Sequence, residues 1–343
     1  MDARAFITGV SGLALTADER AFLREQQPWG FILFKRNVES PSQVKDLVAS
    51  LRECVGRHDA PVLIDQEGGR VQRLGPPHWP IYPPGAVFGL LYDKDPGLGL
   101  RAAHFAAALI AFDLSALGIT VDCLPLADVP VAGADAVIGN RAYGTEPGKV
   151  AAIARAVTDG LGVGGVLPVL KHIPGHGRAT ADSHLRLPVV DTPQAELERT
   201  DFAAFRPLAD LPMAMTAHVV FSAIDPAQPA TTSATMIGQV IRKGIGFQGL
   251  LMSDDVSMNA LEGSIADRTR ALFAAGCDVA LHCNGKLEEM RAVAQETPMF
   301  AGEAKARAAA ALAARRAPDA GFDIAAGRAE LAALISRAGE TNV

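Results

Sequence analysis

Eight short apolar runs, each followed by a stretch of helical spacing, recur along the chain, and this alternation constrains its fold more than any other feature. The runs are Phe6–Val10, Gly30–Phe34, Pro61–Asp65, Ile119–Cys123, Gly165–Lys171, Met213–His218, Leu250–Asp254 and Asp278–His282. Between them, apolar residues three and four apart predict helices over Ala17–Gln27, Gln43–Val55, Gly97–Leu117, Val150–Leu161, Pro193–Leu208, Ala234–Lys243 and Asp267–Ala275. A strand reaches a parallel neighbour only through a crossover, so the alternation predicts a parallel α/β architecture. Eight such units predict a single (β/α)8 TIM-type barrel. An open, doubly wound sheet is the rival, because counting strands cannot detect closure. Such a barrel takes about 250 residues. The chain has 343, which leaves room for long loops and for extra C-terminal helices over about 299–339, where Ala-rich Glu303–Arg316 and Arg328–Arg337 are expected to pack outside the barrel. No Gly-, Ser- or Pro-rich linker divides the sequence, so residues 1–343 read as one domain.

A 49% hydrophobic content is ample for a large core, and a net charge of −6 without Lys/Arg runs leaves no footprint for nucleic acid. Cys54, Cys123, Cys277 and Cys283 include no C-x-x-C pair and read as reduced core thiols. No basic leader with a cleavage site is visible, and no window is read as the 18 to 20 uncharged apolar residues of a membrane span, so a cytoplasmic location is expected. Gly160, Gly162 and Gly165 spell G-x-G-x-x-G, but the motif follows a helix and leads into a strand, the reverse of a dinucleotide site. It reads as a helix stop.

In a barrel, chemistry belongs at the C-terminal ends of the strands. Polar residues gather there. Val62-Leu63-Ile64 runs directly into Asp65-Gln66-Glu67-Gly68-Gly69-Arg70, and two carboxylates with a guanidinium suit a hydroxyl-rich ligand; a structural Glu–Arg ion pair is the bland alternative. The fifth run ends in Lys171-His172-Ile173-Pro174-Gly175-His176-Gly177, where Pro and Gly prevent a regular helix and disfavour a helical zinc motif. Asp182 and His184, two apart, share a side in extended chain. A carboxylate there could orient the imidazole as a proton donor, or the pair could be an incidental loop neighbourhood. Asp254 ends a hydrophobic strand as a nucleophile would, although Asp254 or Asp255 could instead cap the next short helix. His218 ends the sixth run, and Asp128, Arg141 and Asn284 fall just beyond the fourth and eighth, as substrate-orienting groups or loop ties.

Taken in order, GFILFKRN, IDQEGGRVQRL, NRAYG, KHIPGHG with DSHL, MTAHVVF and LMSDDVSM resemble glycoside hydrolase family 3, from about Gly30 to Asn284. Within it they are most similar to the single-domain bacterial β-N-acetylglucosaminidases of peptidoglycan recycling. The resemblance implies a (β/α)8 barrel and a retaining exo-hydrolase that releases terminal β-linked GlcNAc, most naturally from GlcNAc–1,6-anhydro-MurNAc, with no cofactor and no metal. It implies Asp254 as nucleophile and His184, assisted by Asp182, as acid/base. Asp65, Arg70, Arg141, Lys171 and His172 would hold the sugar, with Glu67, His218 and Asn284 near the pocket. Lys35 and Ile173 depart from the pattern at non-catalytic positions. The partner would be a small carbohydrate, a GlcNAc-containing muropeptide, with no nucleic acid and no membrane. The protein would act as a monomer or weak homo-oligomer. Three alternatives remain: phosphorolysis on the same site, since neutral imidazole does not repel phosphate as a carboxylate does; a metal-dependent barrel hydrolase drawing on His172, His176, Asp182, His184 and His218; and a non-catalytic sugar-binding protein.

Overall fold

A computed structural model of the chain describes residues 2–183 and 186–339. The parallel sheet is built from β1 (Arg4–Thr8), β2 (Pro28–Leu33), β3 (Val62–Ile64), β4 (Val121–Asp122), β5 (Leu167–Pro168), β6 (Leu170–Ile173), β7 (Met213–Thr216), β8 (Leu250–Asp255) and β9 (Val279–His282). Its spatial order is β5-β4-β3-β2-β1-β9-β8-β7-β6. The two ends of that order are halves of one run, 167–173, with β5 paired to β4 and β6 to β7. The ring therefore closes through the covalent chain. The fifth predicted strand is kinked at Val169, whose N–H donates to the carbonyls of Asp122 and Leu124 at 3.1 and 2.7 Å.

Side chains alternate across a strand, and the inward set forms one buried cluster: Ile7, Ile32, Leu63, Val121, Leu167, Val169, Met213, Met215, Leu250, Met252, Val279 and Leu281. The outward set packs on the helices in a second cluster. The inner cluster extends to Phe300, Ala308 and Ala311. Thus α10 (Gly302–Ala313) closes the floor of the barrel instead of lying outside it, and Phe300 meets Trp29 edge-on with ring centroids 5.9 Å apart. By contrast, α11 (Ile324–Gly339) does lie outside, against α3 (Gly85–Lys94) and α4 (Pro96–Ser115).

By length and composition α4 is apolar enough to cross a membrane, although Arg101 and Asp113 keep it from being the uncharged stretch that the sequence reading excluded. Here that apolar surface is turned on α3, α11 and α5 (Pro147–Val163), and 56% of its most apolar window is buried. Gly160 makes the α4–α5 approach possible: a Cβ there would stand 2.3 Å from the carbonyl oxygen of His104. The G-x-G-x-x-G segment thus stops the helix, as its position predicted, and its first glycine also serves helix packing, which the sequence reading did not foresee. The expected helix over Pro193–Leu208 is interrupted at Thr200, whose hydroxyl donates to the Glu196 carbonyl at 2.8 Å. The segment predicted as a helix over Ala234–Lys243 is wound as a π-helix, Met236–Ile245.

Candidate active site

The inward-facing period of two continues past the hydrophobic layers to the C-terminal mouth. Two residues beyond Ile32, Leu63, Val169, Met252 and Leu281 come Phe34, Asp65, Lys171, Asp254 and Cys283, and all five line one cavity. The cavity encloses about 730 Å3 of open space, its mouth included. Arg73, Val137, Ile138, Arg141, His172, His176, Ser183, Met215, Asp255 and Met258 also contribute to its wall.

One side of the cavity is an ion network. Lys171, 2% exposed, places Nζ 3.0 Å from Asp65 Oδ1 and 2.6 Å from Glu67 Oε1. Arg141 grips Glu67 with two parallel bonds, Nε to Oε2 at 2.9 Å and Nη2 to Oε1 at 2.8 Å. Arg73 completes the set, Nη2 donating to Asp65 Oδ2 at 2.9 Å. Burial by itself would push both carboxyls up, but Lys171 outweighs it, with Arg73 beside Asp65 and Arg141 beside Glu67, and both pKa values end below the ordinary range. Burial works against the charge of Lys171 and Arg141 in the same way, and the same carboxylates hold both above their ordinary values. The result is a charged wall of donors and acceptors held by mutual ion pairs and suited to hydroxyl groups.

A second cluster surrounds Asp128, a fully buried carboxylate. Its Oδ2 accepts from His172 Nδ1 at 2.8 Å, and its Oδ1 accepts the backbone N–H of His176 at 2.7 Å and of His172 at 3.3 Å. Burial raises its pKa, His172 and His176 together more than reverse this, and the group falls to about 2. An ionised carboxylate can only accept, so the His172 proton sits on Nδ1. His176 Nε2 lies 3.0 Å from Ser183 Oγ. Burial, with His172 nearby, drives His176 down to about 4.

On strand β8, Asp254 Oδ1 accepts the backbone N–H of Asp255 at 2.8 Å. The next helix begins at Ile265 and is capped by Ser264, so neither aspartate caps it; Asp255 instead braces the turn after β8, its carboxylate accepting from the N–H and hydroxyl of Ser257 at 3.0 and 2.6 Å, and from the N–H of Cys283 at 3.1 Å. Asp254 is the one placed at the end of the inward-facing row.

Of the residues singled out from sequence, Asp65, Arg141, Lys171, His172 and Asp254 line the cavity, with Glu67 buried behind Lys171 and Arg141. His184 lies outside the described residues. Asp182 sits beside the cavity residue Ser183, and its carbonyl accepts the Arg186 N–H at 3.1 Å. Arg70 does not reach the wall. It is exposed and donates to the carbonyl oxygens of Ala136 and Val137. Its expected place is taken by Arg73, because Gly68 and Gly69, with φ of 93° and 57°, turn the chain into an antiparallel hairpin of Gln66–Gly68 against Val71–Gln72. The Gln66 side chain locks that hairpin, its Oε1 accepting the N–H groups of Arg73 and Leu74 at 2.9 and 3.0 Å. The G-G pair between apolar and polar alternation was the available signal. Asn284 ties a loop, bonding Glu289 Oε2 at 2.6 Å. His218 is buried behind β8: Nε2 donates to the Asp255 carbonyl at 3.0 Å and Nδ1 lies 2.7 Å from Thr231 Oγ1. Among the described residues no group of three His, Cys, Asp or Glu is arranged to hold a metal.

The profile of the glycosyl hydrolase family 3 N terminal domain matches residues 7–311. A β-hexosaminidase from Alkalilimnicola ehrlichii is 39% identical over 280 residues, covering 80% of this chain and 79% of the relative. One from Bordetella pertussis is 36% identical over 284 residues, covering 82% and 80%. Among solved structures, NagZ from Neisseria gonorrhoeae in complex with N-trifluoroacetyl-D-glucosamine superposes with a TM-score of 0.87 at 31% identity, covering 98% of this chain and 99% of that one. With a closed ring of eight runs, a charged mouth at the C-terminal ends of the strands and these matches over most of its length, the chain belongs to glycosyl hydrolase family 3.

Proposed function

We propose that the chain is a retaining exo-β-N-acetylglucosaminidase in which Asp254 is the nucleophile and His184, assisted by Asp182, is the acid/base. The coarser statement needs no proposal: the protein is a glycoside hydrolase of the β-N-acetylhexosaminidase kind. The observation that carries the finer reading is the position of Asp254, at the end of an inward-facing row and in the same cavity as Asp65, Arg73, Lys171 and His172. A carboxylate so placed can reach the anomeric carbon of a sugar whose hydroxyls are held by the ion network.

In the first step an Asp254 oxygen bonds to C1 as the C1–O glycosidic bond breaks, and His184 gives its proton to the leaving oxygen. In the second, His184 takes a proton from water, the water oxygen bonds to C1, and the C1–Asp254 bond breaks. Two inversions give net retention. Asp65, Lys171, Arg73, Arg141 and His172 bind and orient the sugar throughout. The aglycone, a 1,6-anhydro-muramyl unit from cell-wall turnover, and a cytoplasmic location belong to the same proposal and rest on the sequence resemblance.

Intact-mass and peptide analysis after incubation with a slow-turnover fluorosugar tests the reaction class and the attacking residue together. The expected result is one covalent glycosyl adduct on the peptide carrying Asp254, with the β-anomer as first product of normal turnover. An adduct elsewhere, or an α-anomer, overturns the proposal. Asp254→Asn is expected to lower kcat by about 1,000-fold or more, since the first bond can no longer form.

A further inference from the structure

KHIPGHG carries a second histidine, His176, to which the proposed reaction gives no role. It is 3% exposed and lines the cavity. Its backbone is fixed on Asp128, the carboxylate that orients His172, and its side chain meets Ser183, 3% exposed and also in the cavity wall. Ser183 stands between Asp182 and His184 in the chain. Its carbonyl accepts the N–H of Ala260 at 3.2 Å, which ties the same residue to the loop that follows Asp254 and Asp255. The near end of this segment is anchored independently: the Ala179 N–H donates to the His176 carbonyl at 3.1 Å, and Arg178 Nε donates to Asp201 Oδ2 at 2.6 Å. One buried serine thus connects the loop bearing the proposed acid/base to the turn bearing His172 and to the end of the nucleophile's strand.

We propose that His176 and Ser183 are a positioning pair: the hydrogen bond between them holds Ser183 in place, and through it the chain neighbours Asp182 and His184, without either residue of the pair touching the reacting atoms. The inference rests on the assignment of His184 as acid/base. Its chemical consequence is selective. Loss of the bond leaves the sugar-binding wall and Asp254 in place and weakens protonation of the leaving oxygen, so glycosides with poor leaving groups suffer and activated ones do not.

The test measures kcat/KM, which reports bond cleavage to the first leaving group, for an alkyl β-N-acetylglucosaminide and a dinitrophenyl one. It compares wild type, Ser183→Ala, His176→Ala, their double mutant and His184→Ala. Ser183→Ala removes one oxygen and little volume, so it remains informative where His176→Ala folds poorly. Ser183→Ala is expected to lose about tenfold on the alkyl glycoside, the scale of one lost hydrogen bond, and less than about threefold on the dinitrophenyl glycoside. The double mutant is expected to lose no more than the worse single mutant, because both changes delete the same bond. Equal losses on the two substrates, no loss on either, or additive losses in the double mutant overturn the positioning pair while His184→Ala still discriminates. If His184→Ala itself loses equally on both substrates, the acid/base assignment falls and the inference falls with it.

Discussion

At the scale of single residues, the cavity depends on Lys171, a buried cation between the half-buried Asp65 and the buried Glu67. Replacing it with Met leaves Asp65 and Glu67 facing each other without their shared partner. Removing one partner of a buried ion pair costs about 3–5 kcal/mol, and Arg73 on Asp65 and Arg141 on Glu67 keep the loss toward the lower figure. Urea unfolding of Lys171→Met is expected to show a loss of that order, together with a large rise in KM from the lost sugar contact. The buried titratable groups also fix how stability responds to acid. His176 is held down to about 4, so between pH 6.5 and 4 the unfolded chain binds a proton there that the native chain does not, and stability falls as pH drops through that window. His218, lowered by burial, adds to the same limb. Asp128, held down to about 2, contributes stability that is present above the ordinary aspartate range and is lost as pH falls toward 2. Unfolding free energy measured between pH 7 and 3 is expected to fall in the upper window first, with a smaller fall there in His176→Asn.

Elements explain what could be read in advance and what could not. Asp65, Lys171 and Asp254 were legible because each sits two residues past a hydrophobic inward-facing position, and a period of two needs no tertiary information. Arg73 was not assigned, because its place depends on a hairpin whose two strands are three and two residues long, too short for periodicity to register. Arg70 carries the same charge three positions earlier and was assigned instead, although the turn sends it outward to the loop at 136–138. Strand boundaries moved by one or two residues where backbone pairing, not hydropathy, ends the strand, as at Thr8 and Thr216. Helix α3, with two glycines in ten residues, gave a weak helical pattern, while Leu287–Glu296 has Met290, Val293 and Ala294 on one buried face and could have been recognised. The floor of the barrel was invisible for another reason: an Ala-rich helix does not announce which surface it covers. Phe300→Ala, which removes the ring packed on Trp29, is expected to cost about 3–5 kcal/mol in unfolding free energy with kcat and KM unchanged, since the floor lies at the opposite end of the barrel from the cavity.

On the scale of the whole molecule, the repeat count predicted the barrel, and the pairing order shows how it closes. The segment 167–173 hydrogen-bonds to β4 on one flank and to β7 on the other, and the same seven residues carry Lys171 and His172 to the cavity wall. A breathing motion that parts the staves of this cask at its seam must therefore drag away the cation that we propose grips the sugar. Occupancy and closure then rise and fall together: N-acetylglucosamine at a hundred times its Kd adds about 2.7 kcal/mol against unfolding. It is also expected to slow amide exchange most at the hydrogen bonds joining 167–173 to its two neighbours, so the sugar serves as a hoop around the seam.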